Sequence, residues 1–213
     1  MRWLDWLMPE SCAACRRDAP TRGAPICLPC RRSLQSRLPP AEPACAPAGV
    51  RLTRAAFPYE DPIPSLLRAF KYDARLRVGR TLARRFAARW PLFPELDFAH
   101  ALVPVPLHPR KRRQRGFNQA EILGEAAART AGIPMLSLLC RSTDDPAQAG
   151  LDRRRRKGRL SGAFHVRDGV RLKGANLVLI DDVATTGETL SACARALRDA
   201  GAEEIRAYVL AFG

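Results

Sequence analysis

The 213-residue sequence holds no apolar run near the roughly 18 residues a membrane-spanning helix needs, which excludes a helical transmembrane protein. Aromatic residues are scarce, at 7%, and sparse in the basic stretches, which argues against an extended stacking platform for single strands. Acidic residues are also in short supply. Asp and Glu total 21 against 36 Lys and Arg, a net charge of +15 and a pI near 10.7. A surface of this sign attracts phosphate in some form, as nucleotide, nucleic acid or pyrophosphate. Neither a Walker A motif nor a Rossmann G-x-G-x-x-G is present, and no internal repeat is evident. Met1–Pro9 is not expected to act as an export signal, since Asp5 interrupts its apolar stretch and Pro9 closes it. A short amphipathic helix on Trp3, Leu4 and Leu7 and a cytoplasmic location are the expectations there. What remains, 46% hydrophobic and 27% charged, suffices for one medium domain plus a small stapled module.

Of seven cysteines, four fall into two knuckles, Cys12-x-x-Cys15 and Cys27-x-x-Cys30. Two such turns can close a tetrahedron of sulfurs around Zn²⁺ at about 2.3 Å each, and four thiolates leave no open position, so the metal would be structural. The segment between them, RRDAPTRGAPI, has almost no apolar content and needs such a staple to fold. A disulfide framework wants an export route, and a redox CxxC wants a neighbouring βαβ unit; neither accompanies these four. Cys45 stands alone, while Cys140 and Cys193 fall in apolar patterns and read as small core residues. Residues 31–50 read as a short helix and a proline-rich linker. The expected organisation is therefore a module over 1–50 and a main domain over 51–213.

Within that domain apolar runs and amphipathic patterns alternate. Strands are expected at Arg54–Tyr59, Ala101–Val105, Leu177–Ile180 and Ile205–Phe212. Helices are expected around Leu66–Phe70, around Val78, Leu82, Phe86 and Trp90, around Ile122–Ala127 with a stop at Gly132, and around Leu190–Leu197 with a cap at Gly201. This order implies an α/β fold with a mainly parallel sheet flanked by helices.

The chemistry concentrates in LVLIDDVATTGETL, residues 177–190. A buried strand delivers Asp181 and Asp182. A loop of small residues, Ala184, Thr185, Thr186, Gly187, Glu188 and Thr189, then opens a helix. Backbone N–H groups at a helix N-terminus cradle a phosphate dianion, and the Thr hydroxyls add donors. Like charge keeps the two carboxylates off that phosphate; they suit ribose hydroxyls or Mg²⁺ about one sugar away. A phosphate at one end and a diol at the other describe a ribose 5-phosphate. The segment resembles the 5-phosphoribosyl-1-pyrophosphate (PRPP) signature of type I phosphoribosyltransferases, in which Asp181 and Asp182 are the catalytic acids. A second block, VPVPLHPRKRRQRGFNQ over 103–119, supplies a cationic loop suited to a departing pyrophosphate.

These blocks, with the four-cysteine module, are similar to the ComF family. The resemblance rests also on Phe70-Lys71-Tyr72, the PVPL…RGFNQ block of Pro104–Gln119 and the Q-x-G-L…GAF block of Gln148–Phe164. It implies a type I phosphoribosyltransferase domain with an N-terminal zinc ribbon, and a link to DNA uptake in natural transformation. It also implies PRPP with Mg²⁺ as ligand and Lys71, Lys111, Arg115 and Gly116 on the pyrophosphate side. Lys111 stands where members carry Arg, which keeps the charge but loses a bidentate phosphate contact. Arg153–Lys157 is a further basic run, expected to give sequence-independent contact with single-stranded DNA. No segment names the acceptor. His108 and His165 qualify as its general base by residue type only.

Overall fold

The computed structural model describes residues 11–17, 24–40, 47–72, 76–142 and 162–213. The expected N-terminal helix, Cys45, Gln148 and Arg153–Lys157 lie outside the described residues.

Four strands form one all-parallel sheet in the order β1-β6-β5-β2: β1 (Thr53–Pro58), β2 (Ala101–Pro104), β5 (Ala175–Ala184) and β6 (Ala202–Phe212). A separate antiparallel pair joins β3 (Leu139–Arg141) to β4 (Phe164–Val166). The period of two along each strand sends alternate side chains to opposite faces. Val178, Ile180 and Tyr208 pack on the face covered by α2 (Ile63–Tyr72), α3 (Leu76–Ala87) and α5 (Gln119–Ala131). Leu177, Leu179 and Val209 pack on the other face, under α6 (Glu188–Asp199) and the β3–β4 pair. Burial on both faces explains why the strands read as continuous apolar runs.

The helices follow their sequence signals. In α3 the four-residue spacing of Val78, Leu82 and Phe86 buries one stripe, and the chain breaks into two short 3₁₀ turns at Pro91 and Pro94. Asn118 caps α5 by accepting from the Ala120 N–H at 3.1 Å and donates to the Val105 carbonyl at 3.0 Å, which ties the helix start to the end of β2. The α6 cap is Ala200, one residue before the expected Gly201. Tyr208 is fully buried between the sheet and α3, stacked on Phe86 at 4.1 Å, and its hydroxyl donates to the Phe86 carbonyl at 2.8 Å.

The described part of the N-terminal segment, with α1 (Leu28–Ser36), docks on this same face. Cys12, Ile26, Cys27 and Leu34 join the core that holds Phe57, Val78 and Phe86. Arg89 donates to the Leu34 and Arg37 carbonyls, and Arg37 pairs with Glu60 at 2.6 Å.

Candidate functional site

β5 runs four residues past Ile180, so Asp181 and Asp182 lie inside the strand, paired against β6. The strand's alternation sends the two acids to different faces. Asp182, on the α2 face, forms an ion pair with Lys71 at 2.9 Å. Asp181, on the α6 face, accepts the Asp182 N–H at 2.8 Å and feels the charge of Arg141 from β3. Desolvation and the adjacent Asp182 carboxylate push the Asp181 carboxyl up from 3.8 to about 8, against the pull of that N–H, Lys71 and Arg141. These surroundings favour the protonated form of Asp181. Arg141 belongs to none of the sequence blocks. Nothing in its local sequence sets it apart, because the β3–β4 pairing alone brings it to the acids.

Beyond Asp182 the strand continues through Ala184, which is buried and whose carbonyl accepts the Gly213 N–H at 2.9 Å. The loop proper is thus Thr185, Thr186 and Gly187. Both threonines are exposed, and Gly187 takes φ 76°, a left-handed conformation that L side chains resist. α6 starts at Glu188 with no side-chain cap from Gly187. The Thr186 hydroxyl accepts the Glu188 N–H at 3.4 Å. A helix opening of this kind offers its first-turn N–H groups to an anion.

The basic block differs from expectation. Rather than a loop, it is the short helix α4 (Pro109–Arg115). His108 caps it by accepting the Arg110 N–H on Nδ1 at 3.2 Å, Pro109 opens it, and Gly116 closes it at φ 79°. Arg112 pairs with Glu121 at 2.5 Å, while Lys111 is exposed. α2 brings this block together with the Phe-Lys-Tyr triplet. Phe70 stacks on Phe117 at 5.1 Å, and the Arg115 guanidinium lies 5.3 Å from the centre of the Tyr72 ring. Lys71, between them, points to Asp182, so it links the acids rather than extending α4. His108 is used as a cap, and His165 is exposed on β4 opposite Cys140. Cys193 is buried in the core and Cys140 half-buried on β3.

The four module cysteines do converge. Their Sγ atoms all lie within 4.8 Å of one another, and Cys15 to Cys27 is 3.7 Å, against the edge of about 3.8 Å for a tetrahedron of thiolates around Zn²⁺. The Cys27 N–H donates to the Cys12 sulfur at 3.3 Å. Burial would raise the Cys12 thiol, but N–H groups of Cys27, Cys15 and Ala14 outweigh it and lower it to about 6. Burial and the neighbouring sulfurs push Cys30 strongly up. Cys12 therefore ionises readily while Cys27 and Cys30 resist, an arrangement that a dication resolves. The donor set fits a structural metal ion such as zinc.

A parallel sheet whose central strand delivers two acids and a Thr-Thr-Gly turn defines a phosphoribosyltransferase-type α/β domain. Accordingly, the phosphoribosyl transferase domain family matches residues 128–213. Competence protein F of Haemophilus influenzae is 34% identical over 161 residues, 72% of this chain and 69% of that protein. DNA utilization protein YhgH of Salmonella typhimurium is 28% identical over 223 residues, 95% of this chain and 97% of that protein. Competence protein ComFC of Bacillus subtilis is 29% identical over 153 residues, 71% of this chain and 60% of that protein. The chain belongs to the ComF family. Among the described residues no helix is long and apolar enough to cross a membrane.

Proposed function

We propose that this chain binds PRPP with Mg²⁺ at the carboxyl end of β5, as a phosphoribosyltransferase-type protein serving DNA uptake. The observation that carries this reading is the juxtaposition of the glycine-opened α6 N-terminus with the Asp181–Asp182 pair on one strand. Thr185, Thr186, Gly187, Glu188 and Thr189 would hold the 5-phosphate, and the two acids the ribose hydroxyls. Mg²⁺ would offset the like charge of the two carboxylates, which together with desolvation raises the Asp181 carboxyl. Lys111 and Arg115, on α4, and the Gly116 turn would face the pyrophosphate, where their charge favours its departure. Lys71, paired with Asp182, would position that acid. The names of the relatives, competence protein and DNA utilization protein, support the cellular setting.

PRPP with Mg²⁺ should raise the melting temperature, because a ligand that binds only the folded chain stabilises it by mass action. Asp181→Asn combined with Asp182→Asn should abolish the shift. A full shift in that double variant places the ligand elsewhere.

A second reading, a non-catalytic nucleic-acid handler, is favoured by one seam. Arg31 of α1 and Arg84 and Arg85 of α3 line a cleft of about 340 Å³ between the cysteine module and the sheet domain. Burial and the repulsion of Arg31 lower the Arg85 pKa, so this charge lacks an acidic partner among the described residues. Phosphate contacts release counterions, so affinity for single strands should fall with salt at a log–log slope of about −0.7 per phosphate. Arg84→Ala with Arg85→Ala should flatten that slope in an anisotropy titration. Affinity that is flat in salt for the unaltered chain rejects this reading.

A further inference from the structure

A cavity opens between the end of β1 and the outer face of α2, and it shares only Lys71 and Tyr72 with the sequence motifs. Its volume, about 830 Å³, falls within the range of ligand pockets. Tyr59, Ser65, Leu67, Arg68, Lys71 and Tyr72 line it.

Two contacts fix its ends. At one, Lys71 holds Asp182 at 2.9 Å. At the other, Tyr59 and Thr185 approach the same point: a Cβ placed on Gly213 would meet the Thr185 Cγ2 and the Tyr59 ring, each at 3.4 Å. The cavity therefore lies on the Asp182 side of the acid pair, with its Tyr59 end close to Thr185.

Its walls combine two kinds of group. Tyr59 and Tyr72 are 44% and 72% exposed, in a chain where only 7% of residues are aromatic. Arg115 lies over the Tyr72 ring. Arg68 is exposed, one turn before Lys71 and Tyr72 on the same helix, and has no ion-pair partner among the described residues. Aromatic faces stack on a planar ring of any base, and a guanidinium grips phosphate. The tyrosines alone would suit many apolar ligands, and Arg68 alone any anion. Their combination within one cavity selects a planar heterocycle that carries a phosphate.

We propose that this cavity binds a nucleotide unit, its base on Tyr59 and Tyr72 and its phosphate on Arg68, beside the ribose-phosphate site. This rests on the PRPP reading and deepens it, since it names the class of the second ligand. The unit is either a free mononucleotide or one residue of an unpaired strand.

The test uses the full chain with two probes, adenosine monophosphate by calorimetry and a labelled dT12 by anisotropy. At least one should bind, and Arg68→Gln should weaken it about tenfold, the loss of one charged phosphate contact. The thermal shift by PRPP should persist in that variant, which also shows that it folds. Binding of the monophosphate identifies a free nucleotide, and binding of the oligonucleotide alone identifies a strand. Should neither probe bind, or should the variant bind as well as the unaltered chain, the proposal is overturned. The Asp181→Asn, Asp182→Asn double variant separates the two readings. If it retains the PRPP shift while the cavity variant loses the nucleotide, the PRPP assignment fails and the cavity stands.

Discussion

Asp181 and Asp182 are neighbours in the chain with opposite surroundings. Strand alternation gives Asp182 an ammonium partner in Lys71 and leaves Asp181 desolvated, with its carboxyl raised to about 8. The sign of the pH effect follows from linkage. Below about 4 both the folded and the unfolded chain hold the proton, and Asp181 contributes no difference. As pH rises toward 8 the unfolded chain ionises freely and the folded one cannot, so folding stability falls. Above about 8 the loss is complete. Asp181→Asn should therefore melt progressively higher than the unaltered chain between pH 5 and pH 8, with little difference near pH 4. Thermal melts across that range check it, and a gap independent of pH would show that Asp181 ionises normally. The identity of these two residues was legible in the sequence. Their division of roles was not, since it depends on which helix covers which face.

At the scale of elements, the meeting of α2, α3 and α4 sets where Lys71 and Arg115 point. α3 approaches α2 through Gly79: a Cβ there would lie 2.2 to 2.6 Å from three atoms of the Phe70 ring. That ring cannot swing aside, because its other surroundings include Phe117 stacked at 5.1 Å with 10° between planes. Gly79→Ala gains about 1 kcal/mol of helix propensity, but overpacking against an immobile ring costs about 1–3 kcal/mol. The expected outcome is a net loss of up to about 2 kcal/mol in urea unfolding, together with weaker PRPP binding as Lys71 is displaced. An unchanged midpoint would mean that the helices separate freely. In the sequence Gly79 looks like a flaw in an amphipathic helix; the packing shows it as the space for Phe70. Likewise the run 110–115 has the charge of a loop, yet His108, Pro109 and Gly116 supply the start and stop of a helix.

For the whole molecule the governing feature is that the cysteine module shares its core with the sheet domain. Cys12, Ile26 and Leu34 pack with Phe57, Val78 and Phe86, and Arg89 reaches back to the Leu34 and Arg37 carbonyls. About one Zn²⁺ per chain is expected by elemental analysis of reductively purified protein, lost in Cys15→Ser and retained in Cys45→Ser. Because the core is continuous, a chelator should lower one cooperative melting transition rather than produce a separate early one. Protein free of zinc with unaltered stability would remove the metal from the account.

The sequence by itself determined the four-cysteine donor set, the parallel α/β order and the strand-acid-acid-turn-helix segment. Each of these is local: a spacing, an apolar period or a run of residue types that backbone geometry converts directly into structure. Only the tertiary structure decided that Lys71 partners Asp182, that Arg141 faces Asp181, and that Tyr59 and Tyr72 share a cavity with Arg68. Lys71 and Arg141 stand tens of residues from the acids they serve. Such contacts arise from the strand order β1-β6-β5-β2 and from the faces on which α2 and β3 are laid, which no local pattern encodes.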